Sequence, residues 1–382
     1  VANPGTDSAY AAIKSPFELS DTRFSAMGSA GIAITEGTAA LYRNPAGLAE
    51  GSLDIDLPSI TFTMYNPAKI LSSGVIQDLT SGGNQALDKG LDFLESLGVY
   101  NKLFQMDASA GFTAKGFGFG FAIQDIIHTY NGSGSFAASS SLINQMNAVL
   151  SLGYGYRFNL PMDYSIDVGL AIRFNYIAFT NTIGAGNVLG MVSGGEGNPF
   201  ETILQETPMM AGFSIPIDIG VTANMPLGFS VSIAARNING RYYMTAIDSI
   251  SEWSRNPFGS GSSNKFTFDS DCHLDIGVAW QWDEAWWFKP TIALDFVDLI
   301  GFKDDTSFSF RSFMKHVNIG AEFEFVNSIA LRAGLTGGYL SLGLGIDLHV
   351  LRIDCSYYWQ ELGEVAGAKG TDAFAINFKL GW

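Results

Sequence analysis

One stretch decides the fold: Tyr164-Ser-Ile-Asp-Val-Gly-Leu-Ala-Ile-Arg-Phe-Asn-Tyr-Ile-Ala-Phe-Thr180. Its even positions carry Tyr164, Ile166, Val168, Leu170, Ile172, Phe174 and Tyr176; its odd positions carry Ser165, Asp167, Gly169, Ala171, Arg173 and Asn175. Side chains alternate across a β-strand, so a period of two gives one greasy face and one polar or small face. The pattern recurs. Residues 210–222 set Ala211, Phe213, Ile215, Ile217, Ile219 and Val221 against Gly212, Ser214, Pro216, Asp218, Gly220 and Thr222. Residues 341–348 set Leu342, Leu344, Ile346 and Leu348 against Ser341, Gly343, Gly345 and Asp347.

A soluble sandwich alternates in the same way, so composition has to decide. Of 382 residues 47% are hydrophobic, but only 15% are charged. Soluble domains average about 25% charged, and this chain has too little to cover a surface of its size. With 29 Phe, 14 Tyr and 7 Trp it is not disordered either. Aromatic residues gather at strand ends, as at Tyr154, Tyr156 and Phe158 or Trp280, Trp282, Trp286 and Trp287, where membrane-interface girdles sit. A spanning helix needs about 18 consecutive apolar residues. Residues 333–346 are uncharged for only 14, and residues 174–195 contain Asn175, Asn181, Asn187 and five glycines. The other way to satisfy every backbone group in lipid is a closed β-barrel.

Fourteen strands are expected, near 52–65, 106–115, 117–129, 144–158, 163–180, 209–223, 227–238, 271–282, 286–298, 314–325, 328–336, 339–348, 350–360 and 371–382. After the second strand, short turns alternate with mostly long connections, only 337–338 breaking the rule. Outer-membrane barrels have short periplasmic turns and long outer loops, and an even strand count leaves both chain ends in the periplasm. The last strand ends on Phe374-Ala-Ile-Asn-Phe-Lys-Leu-Gly-Trp382, which resembles the C-terminal signal recognised in barrel assembly. The predicted class is therefore all-β: a 14-stranded antiparallel transmembrane β-barrel. The chain starts at Val1 without a visible signal peptide, and is expected to be the mature form after signal-peptide removal.

Other classes fall away. The net charge of −16 argues against nucleic acid as a partner. Two cysteines, Cys272 and Cys355, make no disulfide scaffold, and no Cys/His spacing suggests a metal. His128, His273, His316 and His349 fall on four different strands or strand ends, so no catalytic set is expected, and no cofactor.

Residues 1–51 contain no clean strand and are rich in Ala, Gly, Ser and Thr. A fourteen-stranded barrel leaks unless its lumen is filled, and a small-residue segment would fill it. The run Phe24-Ser-Ala-Met27-Gly28-Ser-Ala-Gly31, followed by Leu41-Tyr42-Arg43-Asn44-Pro45-Ala46-Gly47-Leu48, resembles the N-terminal hatch of the FadL family. That family comprises outer-membrane transporters of long-chain fatty acids and other hydrophobic compounds. The resemblance implies a hatch at 1–51 inside a barrel at 52–382, with Phe24, Met27, Leu41, Asn44, Pro45 and Ala46 along the ligand path. It implies the outer membrane of a diderm bacterium and passive uptake of a hydrophobic small molecule such as a long-chain fatty acid. The ligand would be captured by outer loops, held above the hatch, and released sideways near a kinked third strand. Outer-membrane lipid or lipopolysaccharide would surround a monomer.

Three features bear on that scheme. Gln85 to Gln105 has a helical period, with Leu87, Leu91, Leu94 and Leu97 in one stripe and Phe93, Tyr100 and Phe104 adjoining. It reads as a greasy capture surface or as a stripe packed on its neighbours. In the third strand, Gln124-Asp125-Ile126 breaks the alternation; in unbroken register Asp125 faces lipid, which a bulge or kink would relieve. The polar faces place Arg157, Arg173, Arg236 and Arg332 in the lumen, where one or two would meet a carboxylate headgroup and the rest would pair with acids. Two alternatives stay open: a FadL-like barrel of the PorV type serving protein interaction or secretion, and a general porin.

Overall fold

The computed structural model describes residues 16–74, 90, 92–94, 96–97, 100–131, 140–180, 183–184, 207–259, 265–282, 285–304, 309–362 and 370–381. The alternating stretches form fourteen antiparallel strands: β1 (Asp54–Tyr65), β2 (Tyr100–Ala114), β3 (Phe117–Asn131), β4 (Ser140–Asn159), β5 (Ser165–Thr180), β6 (Met209–Ser214 and Ile217–Met225), β7 (Phe229–Ile238 and Arg241–Ile247), β8 (Lys265–Asp269 and His273–Gln281), β9 (Phe288–Phe296), β10 (Val317–Phe325), β11 (Ile329–Thr336), β12 (Tyr339–Asp347), β13 (Leu351–Glu361) and β14 (Gly370–Gly381). Each pairs with the next, and β1 pairs with β14 from Asp56 opposite Gly381 to Tyr65 opposite Ala373. The sheet thus closes on itself. Among the described residues no helix is long and apolar enough to cross a membrane.

The two strand faces carry inverted polarity. On β5, Leu170 is 44% and Ile172 45% exposed, whereas Arg173 between β5 and its lumen neighbours is 0% exposed. The same division runs around the wall, with Leu150, Leu152, Ile292, Leu294, Leu342 and Leu344 outside and Asp167, Asp218, Asp275 and Glu322 inside. An apolar outer face with charges buried inside is the arrangement for a lipid solvent.

Connections β2–β3, β4–β5, β6–β7, β8–β9, β10–β11 and β12–β13 are short and share one end of the barrel with the start of β1 and the end of β14. The opposite end carries the longer connections, apart from 337–338. Three strands differ most from expectation. β2 begins at Tyr100, not near 106, because the alternation of Phe104 and Met106 with Gln105 and Asp107 carries on upstream. β7 and β8 reach into the expected loop 239–270, after interruptions.

Candidate ligand-binding site

Residues 16–51 lie inside the barrel, touching strands on all sides of the lumen. Asp21 caps a short helix, α1 (Thr22–Ala26), through the amides of Arg23 and Phe24. Turns of 3₁₀ type follow at Ile32–Ile34, Gly37–Leu41 and Pro45–Glu50. Asn44 caps the last of these and Pro45 opens it, where a missing N–H costs nothing. Phe24, Met27, Leu41, Asn44, Pro45 and Ala46 are all buried. Phe24 and Met27 pack with Ala279 and Ala293, and Leu41 with Leu48, Ala122 and Val149.

The Asn44 carboxamide is a polar anchor of this segment. Its Nδ2 donates to the Ile32 carbonyl (2.8 Å) and to Ser232 Oγ (2.9 Å), and its Oδ1 accepts from the Ala46 amide (3.1 Å). Lumen-facing glycines make the room. A Cβ on Gly169 would collide with the Pro45 carbonyl, one on Gly220 with Asn44, and one on Gly334 with Met27 and Gly28 backbone. Backbone at that distance cannot yield.

Beyond the segment, toward the long-loop end, is a cavity of ≈ 600 Å³, within the ~300–1,000 Å³ of small-molecule sites. One side is polar. Tyr65, Gln105, Gln124, His128, Gln145 and Asn147 line it and form one hydrogen-bonded chain, including Gln124 Nε2 to Asp107 (2.7 Å), Asn147 Nδ2 to Gln124 (2.9 Å) and Tyr65 Oη to Gln105 (2.8 Å). The other side presents Ile177 and Tyr242, the edge of a buried apolar cluster with Ile143, Phe179 and Met244.

All four expected headgroup arginines are engaged by carboxylates. Arg157 forks onto Asp167 (2.7 Å twice), Arg173 pairs with Asp218 (2.8 Å), Arg236 with Asp275 (2.7 Å) and Glu18 (2.8 Å), and Arg332 with Glu322 and Asp354 (2.5 Å each). Their acids sit on adjacent strands or the N-terminal segment, except Asp354, which lies on β13, two strands from Arg332. Lys102 differs. It lines the cavity, its Nζ lies 5.4 Å from the Tyr65 ring centre, and no carboxylate lies within 4.0 Å of it among the described residues. Sequence reading missed it by placing it in a loop helix. A bulge puts it there: β2 carries one extra residue, Leu103, so Phe104 stays opposite outward Ile127 while Lys102 falls opposite inward His128. Arg43 also faces the cavity, stacked 4.2 Å from the Phe24 ring centre.

The break in alternation at Gln124-Asp125-Ile126 brings no bulge: β3 pairs with β4 without a shift from Phe117 to Asn131. Gln124 and Ile126 face the lumen. Asp125 faces outward, and Asn144 Nδ2 satisfies it at 2.7 Å. In the 85–105 stripe the described leucines are packed on their neighbours. Leu94 and Leu97 are buried with Leu103 against Phe93, Ile127 and Leu142. Tyr100 is on β2, stacked with His128 (5.6 Å) and bonded to it (2.9 Å), and Phe104 is an outward wall residue, 47% exposed. Leu87 and Leu91 lie outside the described residues.

The wall is interrupted elsewhere. β6, β7 and β8 break side by side, at 215–216, 239–240 and 270–272. Side chains close the gap in place of the ladder: the Asn237 amide donates to Asp218 (2.7 Å), and its Nδ2 donates to Ser270 Oγ (2.9 Å) and the Asp271 carbonyl (2.8 Å). Arg173 donates to the Pro216 carbonyl through its amide (3.0 Å) and to the Phe17 carbonyl through Nη1 (3.2 Å). Next to the break, Phe213, Tyr243, Met244 and Phe258 help line a hollow of ≈ 370 Å³. Met244 belongs both to this hollow and to the apolar cluster beside the main cavity.

No protein-family profile matches the chain, and no curated protein matches it. Solved structures align over nearly its whole length. The toluene transporter TbuX of Ralstonia pickettii aligns with 14% identity and a TM-score of 0.48, over 97% of this chain and 98% of its own. The Pseudomonas putida toluene transporter TodX gives 11% identity and 0.47 over 97% and 98%, and a Pseudomonas aeruginosa FadL homologue 12% and 0.45 over 96% and 98%. The fold assignment rests on the strand pairing above; the solved structures this chain is similar to include two toluene transporters and a FadL homologue.

Proposed function

We propose that this protein passively takes up hydrophobic molecules with an acidic headgroup, most simply long-chain fatty acids, across the outer membrane of a diderm bacterium. Residues 1–51 act as the hatch and 52–382 as the wall. The observation that carries the reading is the two-sided cavity above the segment. Lys102 offers an ammonium without a carboxylate partner among the described residues, and Ile177 and Tyr242 offer an apolar surface opposite. A carboxylate beside Lys102 gains a charge-assisted bond, while a tail along Ile177 and Tyr242 leaves water at roughly 25 cal/mol per Å². Release runs toward the interruption of β6–β8, whose flanking surfaces are apolar and which is closed by side chains rather than by a continuous ladder.

The test is binding of a fluorescent fatty acid to the purified barrel. Lys102→Met weakens the fatty acid at least tenfold, Lys102→Arg keeps it within about threefold, and binding of a neutral hydrocarbon is unchanged. Absence of saturable binding to the unmodified protein refutes uptake. Unchanged fatty-acid affinity in Lys102→Met refutes the headgroup site alone. A stably co-purifying protein with no ligand binding would favour the interaction alternative.

A further inference from the structure

The barrel holds a second chamber. It has a volume of ≈ 340 Å³ and lies between the N-terminal segment and strands β1, β2, β13 and β14. Ser52 and Asp54 line it at the start of β1, with Arg352 and Lys379 at the matching ends of β13 and β14, so it reaches the short-turn end. The ≈ 600 Å³ cavity is lined at its far side by Thr336, Gly337, Glu361 and Leu362, where β11 and β13 run into the long-loop end. Among the described residues only Leu19, Ser20 and Asp21 line both chambers. Three residues of irregular chain thus form the strap at which the two chambers meet.

This strap is held firmly on either side and loosely in its middle. Before it, Glu18 binds Arg236 (2.8 Å) and its carbonyl accepts from Gln124 (3.0 Å). At its last residue, Asp21 caps α1, and after it Arg23 forks onto Glu322 (2.7 and 3.1 Å). Ser20 between them has three long bonds: from its amide to Asp107 (3.4 Å), from Gln105 to its hydroxyl (3.2 Å) and from Thr61 to its carbonyl (3.5 Å). Such lengths are at or beyond the weak end of hydrogen bonding. Both chambers carry hydroxyls, amides and charges along β1 and β2, so water wets the whole route once the strap moves aside.

We infer that the barrel has a second, axial activity: conduction of small polar solutes, cations before anions, along β1, β2, β13 and β14 when the Leu19–Ser20–Asp21 strap shifts. The selectivity follows from the lower chamber, where lining carboxylates outnumber cations five to three and Asp54 and Asp56 share the ammonium of Lys379. The route is distinct from the apolar one toward β6–β8, and it does not depend on fatty-acid binding.

The experiment is potassium chloride conductance of the full chain in planar lipid bilayers. The variant pair Ser20→Cys with Thr61→Cys, in a Cys272→Ser, Cys355→Ser background, ties the strap to the wall. Oxidation is expected to lower mean conductance at least fivefold and reductant to restore it. Leu19→Gly with Ser20→Gly is expected to raise it at least fivefold, and a salt gradient to give a reversal potential of cation-selective sign. The inference is overturned if Leu19→Gly with Ser20→Gly conducts no more than the unmodified chain, if the oxidised pair conducts as the reduced one does, or if the current is anion-selective. Fatty-acid binding measured on the same samples reports separately on the uptake reading.

Discussion

Asn44→Ala offers the sharpest test of how the N-terminal segment is seated. The Asn44 side chain is 1% exposed and makes three bonds of 3.1 Å or shorter, to Ile32, Ser232 and the Ala46 amide. At about 0.5–1.5 kcal/mol net for each bond, their loss costs roughly 1.5–4.5 kcal/mol. The loss falls on the segment rather than the barrel, because the ladder from β5 to β8 does not pass through this carboxamide. With about 1.4 kcal/mol per tenfold in population, local opening of the segment rises by roughly 10- to 1,000-fold. Amide hydrogen exchange followed by mass spectrometry reads this directly. Peptides covering 22–50 exchange faster by that factor, while peptides from β10–β14 keep their protection and the barrel keeps its heat-dependent gel shift. Exchange within threefold of the unmodified protein across 22–50 would refute the anchoring role. Loss of protection throughout the barrel would show instead that segment and wall open together.

Two further outcomes follow from buried and shared charge. Arg173→Leu leaves Asp218 in the lumen wall without its 2.8 Å partner, and removing one member of such a pair costs about 3–5 kcal/mol. The unfolding midpoint read by gel mobility should fall, and Arg173→Leu with Asp218→Leu should recover part of it; a single variant as stable as the parent contradicts a stabilising Arg173–Asp218 pair. At the short-turn side of the segment, partial burial and then the neighbouring Glu36 carboxylate push the Glu50 carboxyl up to about 7 from its ordinary 4.5. Because the raised value belongs to the folded state, this group's stabilising contribution is present below pH about 4.5 and is lost as pH rises through about 7. Protection of the amides of 45–50 should therefore decline from pH 5 to pH 8, and Glu50→Gln should flatten the profile; a profile unchanged by the substitution removes Glu50 as the cause.

The parts of the fold visible in the sequence were those written at a spacing of two residues. The faces of β5 could be assigned from Tyr164 to Asn175 alone, and β3 keeps its register through Asp125, which faces outward as an unbroken alternation requires. The helical period read from Gln85 to Gln105 misled at its C-terminal end. Phe104 and Met106 already alternate with Gln105 and Asp107, and a strand that pairs on both sides outweighs a weak local period. That misreading hid Lys102. The four arginines are all bound to acids, a choice no local pattern reveals.

The sequence by itself determined that this chain is a fourteen-stranded barrel with an apolar exterior, because strand alternation is a property of covalent geometry and needs no partner. It also singled out Asn44-Pro45-Ala46, through a family resemblance rather than a local capping signal. Only the tertiary structure decided which charges remain available and where the wall is weak. Arg23 meets Glu322 from 299 positions away, the bulge at Leu103 turns Lys102 inward, and the breaks in β6, β7 and β8 fall side by side only once the strands are in register. Those outcomes depend on the stagger of strands distant in the chain, which closure of the ring fixes all at once.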